Sequence, residues 1–386
     1  MKAYVASDLK EMNRRTVFSF IATAGETSKA EISRKTGISS PTVIKIVNHF
    51  IKKGLVLEQE STEGQTVESY VESGQRPMGR RPCVLAFNRN AACSLGVEFE
   101  GNYLKIGLVN LAYEMVAFEK IHVEEGFEQI FSRRLPGIIK SMTRRSAPKT
   151  SFILGLGIGI PSVIDPLTKV IEATPLIGLE SRFDARRLLT KLEHELSMPV
   201  FIENDVKAAA MGEYWSRGTG IPDMAYVSLG TGFAAGIIMN GVLRKGPRNI
   251  AGEIGYLVSR GSISNSLDRP GPLEQEVNIS HIERSLGLSW EAVVRDESKR
   301  GPVADLIAES VSVAIANVCI SLDIDCVVLG GLLSEYLGAA FVSRVDERVR
   351  NLSITDVHVS ASSHCQPGIA GAAHIVMTAT LDSLLA

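Results

Sequence analysis

An amide and a carboxylate stand side by side at Asn204-Asp205, after Val200-Phe201-Ile202 and before Val206-Lys207-Ala208-Ala209-Ala210. The first run reads as a strand and the second as a helix. The pair therefore lies at a strand end on an open α/β edge, where crevices take ligands. An ionised carboxylate accepts from two hydroxyls, and an amide both accepts and donates. Vicinal hydroxyls are the chemistry this pair suits. Asn and Asp are also good helix N-caps, so one can cap the helix while the other binds. Two glycine turns, Gly101-Asn102 and Thr231-Gly232, each join two apolar strands, and Gly330-Gly331 ends another. Glycine there would let backbone approach a ligand closely. The five cysteines form no CxxC or CxC pair, which offers no zinc ribbon and suits a reduced, cytoplasmic protein.

A second chemistry sits at the start of the chain. Residues 1–55 hold ten Lys and Arg against four Asp and Glu, although the whole chain is at −2. A basic head on an acidic body suits a polyanion. Helical spacing predicts three helices: 13–24, a second opened by the capping-box pattern Ser28-x-x-Glu31, and a third from Ser39-Ser40-Pro41 with Val43, Ile44, Val47 and Phe50 on its apolar face. Gly37 turns the second into the third, the spacing of a helix-turn-helix whose third helix enters the major groove. Ser40, Thr42 and Lys45 would reach base edges or phosphates. Strands at 55–58 and 83–87 would make the head winged, with Arg80 and Arg81 at the wing for a phosphate pair or a minor groove.

The elements that position Asn204-Asp205 read as two α/β halves. Strands at 95–100, 103–109, 115–118, 151–160 and 200–202 alternate with helices at 127–145, 182–196 and 206–215. A second hairpin, 225–230 with 234–240, is followed by a helix at 303–321, strands at 326–330 and 357–360, and a closing helix from Gly368. Two halves that each open on a glycine-turn hairpin suggest a duplicated unit. The expected class is α/β: a winged helix-turn-helix over 1–87, then a two-lobed actin-like or hexokinase-like (ribonuclease H-like) body over 88–386. Lobe one spans about 88–204 plus 370–386, and lobe two about 205–369. No stretch reads as membrane-spanning: 226–243 is rich in glycine and 151–164 is too short.

Five segments in order, 96–107, 155–165, 203–213, 230–255 and 327–331, resemble the ROK family of repressors and sugar kinases. Glu203-Asn204-Asp205-Val206-Lys207-Ala208-Ala209-Ala210 and Ala251-Gly252-Glu253-Ile254-Gly255 carry most of the resemblance. It implies that Asn204, Asp205, Glu253 and Glu274 bind a sugar, with Glu276 an alternative register for Glu274, and that Asp205 holds the position of the kinase base. Tyr256 stands where the family has a histidine that touches sugar and ligates zinc. The family's zinc cysteines are missing from 259–274, so no metal is expected. The nucleotide site is degenerate. Glu98-Phe99-Glu100-Gly101 replaces the family's Asp-x-Gly-Gly, whereas Gly230, Thr231, Gly232, Gly330 and Gly331 are kept. ATP is therefore not expected as a cofactor. The resemblance implies a sugar-responsive repressor, a homodimer or homotetramer on a palindromic operator, released when sugar fills the cleft. The alternative is an ATP-dependent sugar kinase with an appended DNA-binding head.

Overall fold

The computed structural model describes residues 6–60, 83–100, 102–148, 151–172, 174–218, 220–258 and 270–386. The chain opens with α1 (Ala6–Ala24), β1 (Glu26–Thr27), α2 (Lys29–Thr36), α3 (Ser40–Lys52), β2 (Val56–Glu60) and β3 (Cys83–Phe87). Ser28 caps α2 by accepting from the Glu31 N–H at 3.2 Å, and Gly37 ends it at φ 72°. This turn aims α3. The apolar face of α3 is Val43, Ile46, Val47 and Phe50, an i, i+3, i+4, i+7 set. Ile44, assigned to that face from the sequence, instead points outward, about 100° around the helix. β1, which the sequence reading missed, pairs antiparallel with β3, as β2 does on the other side. The three-stranded sheet packs on Val17, Phe18 and Ile21 of α1.

The first body sheet is built from β4 (Ala92–Glu100), β5 (Tyr103–Asn110), β6 (Met115–His122), β7 (Phe152–Ile160) and β10 (Val200–Asn204). Between β6 and β7 run α4 (Phe127–Gln129), a π-helical turn (Ile130–Arg134) and α5 (Leu135–Ser146). Pro136 at the start of α5 lacks an N–H, which suits this break in what was expected as one helix. β8 (Val170–Ile171) and β9 (Phe183–Asp184) form a small ribbon before α6 (Arg186–Leu196). That helix was expected from 182, but the β8 pairing draws Phe183 and Asp184 into extended backbone.

The order of the first sheet is β10-β7-β4-β5-β6. After α7 (Asp205–Arg217) come β11 (Met224–Leu229), β12 (Phe233–Met239), β13 (Val242–Leu243), α8 (Glu274–Val277), α9 (Ile279–Leu286), α10 (Trp290–Arg295), α11 (Arg300–Leu322), β14 (Cys326–Gly330), α12 (Leu332–Leu352), β15 (His358–Ala361) and α13 (Pro367–Leu385). The second sheet runs β15-β14-β11-β12-β13. Numbered within each half, both sheets are 5-4-1-2-3, with an antiparallel meander on one side and two parallel strands on the other. The repeat inferred from the sequence is thus a repeat of topology.

α7 and α13 pack on each other and connect the two sheets. Glycines make this possible. A Cβ on Gly371 of α13 would lie 1.6 Å from the Ala208 carbonyl oxygen of α7, and one on Gly212 of α7 would lie 2.0 Å from the Pro367 carbonyl oxygen. The two helices touch backbone to backbone. α13 also lies directly on β4 and β7, facing Gly96 and Gly157. Its far end leaves the body: Leu385 is buried in the head's core with Leu381 and Leu384 beside it. There the Arg15 Nε donates to Asp382 at 2.6 Å, and the Lys53 ammonium donates to the Leu384 carbonyl at 2.9 Å. Two helices, Glu297–Leu322 and Pro367–Leu385, are long and apolar enough to cross a membrane, and both are mostly buried inside the fold.

Candidate functional site

β10 ends at Asn204 and α7 starts at Asp205, so the turn between strand and helix presents both. Asn204 is buried; its Oδ1 accepts from the Lys207 N–H at 3.0 Å and its Nδ2 donates to the Ser162 carbonyl at 3.2 Å. It is the N-cap of α7 and holds the β7 end in place. Each polar atom makes one of these bonds, and an amide offers two donors and two acceptor sites. Asp205 is half-buried and accepts from the Val206 N–H at 2.8 Å. Burial first, and the negative charge of Glu253 after it, push its carboxyl up to about 6 against the pull of the Val206 N–H. Gly159 of β7 lies under Asp205, where a Cβ would come within 3.3 Å of the Asp205 Cα.

Glu253 and Glu274 approach from the second half. Glu253 opens a short 3₁₀ turn, Ile254–Tyr256, after Gly252 at φ 89°. A Cβ on Gly252 would lie 1.9 Å from the Ala235 carbonyl oxygen, so this turn is pressed onto β12 and only glycine fits. Glu274 starts α8. Its carboxylate lies between this turn and the second glycine turn: the Cβ positions of Gly255 and Gly232 are 3.1 Å from Oε2 and 3.7 Å from Oε1. Burial, then the charge of Glu253, push the Glu274 carboxyl up to about 7. Glu276 accepts from Ser310 of α11 at 2.7 Å, which ties it to a core helix and leaves Glu274 as the cleft register. Tyr256 is half-buried at the end of the 3₁₀ turn, its backbone pressed against Gly271.

Four polar residues that sequence reasoning did not assign complete the site. Lys207 is 1% exposed; its ammonium donates to the Asn249 carbonyl at 2.8 Å and lies 3.8 Å from Glu253 Oε1. Burial lowers its pKa, while Glu253, Glu203 and Asp205 oppose that shift. Asn249, buried at φ 56°, donates from Nδ2 to Glu203 Oε1 and to the Ile164 carbonyl, both at 3.0 Å. Glu203 also accepts from Lys245 and from the Asn204 N–H. Glu203 and Ile164 belong to the first half, whereas Lys245, Asn249 and Glu253 belong to the second. The network therefore spans the cleft. A lysine directly before three alanines, Lys207-Ala208-Ala209-Ala210, two positions after Asp205, was the available signal.

The nucleotide side differs from expectation in its reasons. A Cβ on Gly330 would meet the Tyr226 hydroxyl at 2.1 Å, and one on Gly331 (φ 87°) the Leu229 carbonyl oxygen at 2.5 Å. Packing between β11 and β14 explains these two glycines without a ligand. At Gly230 and Gly232 an added Cβ would meet nothing nearer than 3.7 Å, and the Gly230 N–H is bonded to the Gly232 carbonyl around Thr231. In the first turn, β4 carries Glu98 and ends at Glu100; Gly101 lies outside the described residues. The Glu98 carboxylate is packed on the first turn of α13, its Oε1 2.3 Å from where a Gly368 Cβ would be.

In the head, Ser40 and Lys45 are exposed on α3, beside Ile44 and Asn48. Thr42 is half-buried, its hydroxyl paired with that of Ser39 at 2.9 Å. Arg80 and Arg81 lie outside the described residues.

Duplicated 5-4-1-2-3 sheets around a cleft of convergent carboxylates define a two-lobed sugar-kinase-type body, here joined to a helix-turn-helix head. The chain carries a ROK family domain, whose model matches residues 94–278, behind a winged helix-turn-helix DNA-binding domain, whose model matches 13–56. It is 26% identical over 371 residues to the xylose repressor of Caldicellulosiruptor bescii, covering 89% of each chain. It is 24% identical to the Escherichia coli DNA-binding transcriptional dual regulator NagC, covering 64% of this chain and 58% of that one. A solved ROK family transcriptional regulator, a homologue of the E. coli MLC protein, superposes with a TM-score of 0.76 at 20% identity, covering 98% of both chains. The ROK glucokinase of Streptomyces griseus, solved with glucose and AMPPNP, covers 74% of this chain and 99% of its own at a TM-score of 0.59 and 22% identity.

Proposed function

We propose that this protein is a sugar-responsive transcriptional repressor that holds operator DNA through α3 and releases it when a sugar fills the cleft. The observation that carries this is the continuity of α13. One end of it lies against α7, whose first residue is Asp205, and the other end lies in the core of the DNA-binding head. A sugar bonded to Asp205 from one side and to Glu253 and Glu274 from the other favours one relative position of the lobes. α7 shifts with them, and its backbone contact with α13 passes the shift to the head. A coupling of about 1–3 kcal/mol is enough for such a response. On this reading Tyr256 replaces the histidine of the sugar turn, and no zinc is held.

The protein transfers no phosphate on this reading. Phosphoryl transfer needs a metal and phosphate grips acting together. Glu98 here packs on α13, and Glu100 stands where the family pattern has glycine. Asp205 then serves as an acceptor for sugar hydroxyls. The active species is a homodimer or homotetramer in the cytoplasm, on a palindromic operator whose half-sites are spaced by about one helical turn or multiples. The test is operator binding on a duplex selected from a random pool, titrated with a sugar panel, with ADP release measured in parallel. Sugar-dependent release without turnover supports the repressor. Sugar-dependent ADP release would establish the kinase alternative.

A further inference from the structure

We infer that α3 reads A·T base pairs in the operator: Ile44 packs on the 5-methyl group of a thymine, and Asn48 bonds N6 and N7 of an adenine. This deepens the DNA-binding part of the reading above and rests on it. α3 buries Val43, Ile46, Val47 and Phe50 in the core of the head. At about 100° per residue the opposite side carries Pro41, Ile44, Lys45 and Asn48, again an i, i+3, i+4, i+7 set, and all four are exposed. Thr42 lies off this stripe, its hydroxyl paired with that of Ser39. Ile44 is 42% exposed, an apolar side chain outside the head's core. A single surface isoleucine is ordinary. This one stands on the helix that a helix-turn-helix sets in the major groove, one turn before an exposed amide. In that groove thymine presents a methyl group. Adenine presents an N7 acceptor beside an N6 donor, which one amide matches with two hydrogen bonds. The helix sets Ile44 and Asn48 about 6 Å apart along its axis, so they meet different base pairs of one half-site. Lys45 and Lys52 are exposed on α3, and α2 adds exposed Arg34 and Lys35, so the charge of these two helices suits a phosphate backbone.

The experiment selects a duplex from a random pool with the full-length protein, then edits that duplex one base at a time. Deoxyuridine in place of thymidine removes only the methyl group, and 7-deazaadenine in place of adenine removes only the N7 acceptor. Fluorescence anisotropy reads the affinity of the wild-type protein, Ile44→Ala and Asn48→Ala for each duplex. At one thymine of each half-site, loss of the methyl should weaken wild-type binding about fourfold, the worth of one buried methyl group, and leave Ile44→Ala unaffected. At one adenine, loss of N7 should weaken wild-type binding about fivefold, as for one hydrogen bond, and leave Asn48→Ala unaffected. Wild-type protein that binds every edited duplex as tightly as the parent overturns the base reading and leaves operator binding standing. A variant that stays as sensitive as wild type overturns the assignment of its residue. A pool from which no sequence is enriched overturns the operator reading and this inference with it.

Discussion

Asp205 and Glu274 carry folded-state carboxyls near 6 and 7, above their ordinary 3.8 and 4.5. The groups facing them are Glu253 and Lys207, with Glu203 and Lys245 behind. Because the native state holds these protons more tightly than the unfolded chain, stability falls as pH rises from about 4 to about 7. Removing a charge should reverse this. Glu274→Gln is expected to stabilise the protein at pH 8 by on the order of 1–3 kcal/mol, read as a higher melting temperature, and to leave stability unchanged at pH 4. A thermal series from pH 4 to 8 checks the sign. Such a destabilised group suits a ligand site, since hydroxyl donors would favour the ionised form; sugar binding should therefore strengthen as pH rises through 6–7. Asn204-Asp205 was legible as a hydroxyl-binding pair or a cap, and the structure shows Asn204 capping α7. Lys207 and Asn249 were not legible, because their meaning lies in a contact between residues 42 apart in the chain.

At the scale of elements, α13 is the part that the sequence described least. Its apolar residues mark a buried helix, but periodicity cannot say that one end rests in the body and the other in the head. The glycines at 212 and 371 were readable as small residues; that each faces a carbonyl oxygen is a fact of packing. Gly371→Ala would place a methyl 1.6 Å from the Ala208 oxygen and force α7 and α13 apart. We expect a loss of about 1–3 kcal/mol, as for other overpacked cores, together with a weakened operator response to sugar. Leu385→Ala removes a buried anchor of the head and should cost about 2–5 kcal/mol. Chemical denaturation followed by head-specific hydrogen exchange would locate that loss: it should fall on α1 and α3 before the body sheets. The head's three helices were read correctly in kind because capping and spacing are local signals. Ile44 was misplaced because neighbouring apolar residues on a short helix leave the face ambiguous until a partner surface selects it.

For the whole molecule, the proposed function requires that one cleft govern one DNA-binding head. The duplicated halves were visible in the order of hairpins, strands and helices, whereas the cleft-spanning network and the route to the head appear only once the chain is folded. The exposed cations of the head predict a steep loss of operator affinity with salt, and Lys45→Ala should reduce both affinity and slope. The most direct measurement follows operator release by fluorescence anisotropy, comparing the wild-type protein with Asp205→Asn across the sugar that releases it. Equal operator affinity without sugar is expected for the two proteins, with at least a tenfold weakening by sugar that Asp205→Asn abolishes. A variant that releases the operator at the same sugar concentration as wild type would contradict it.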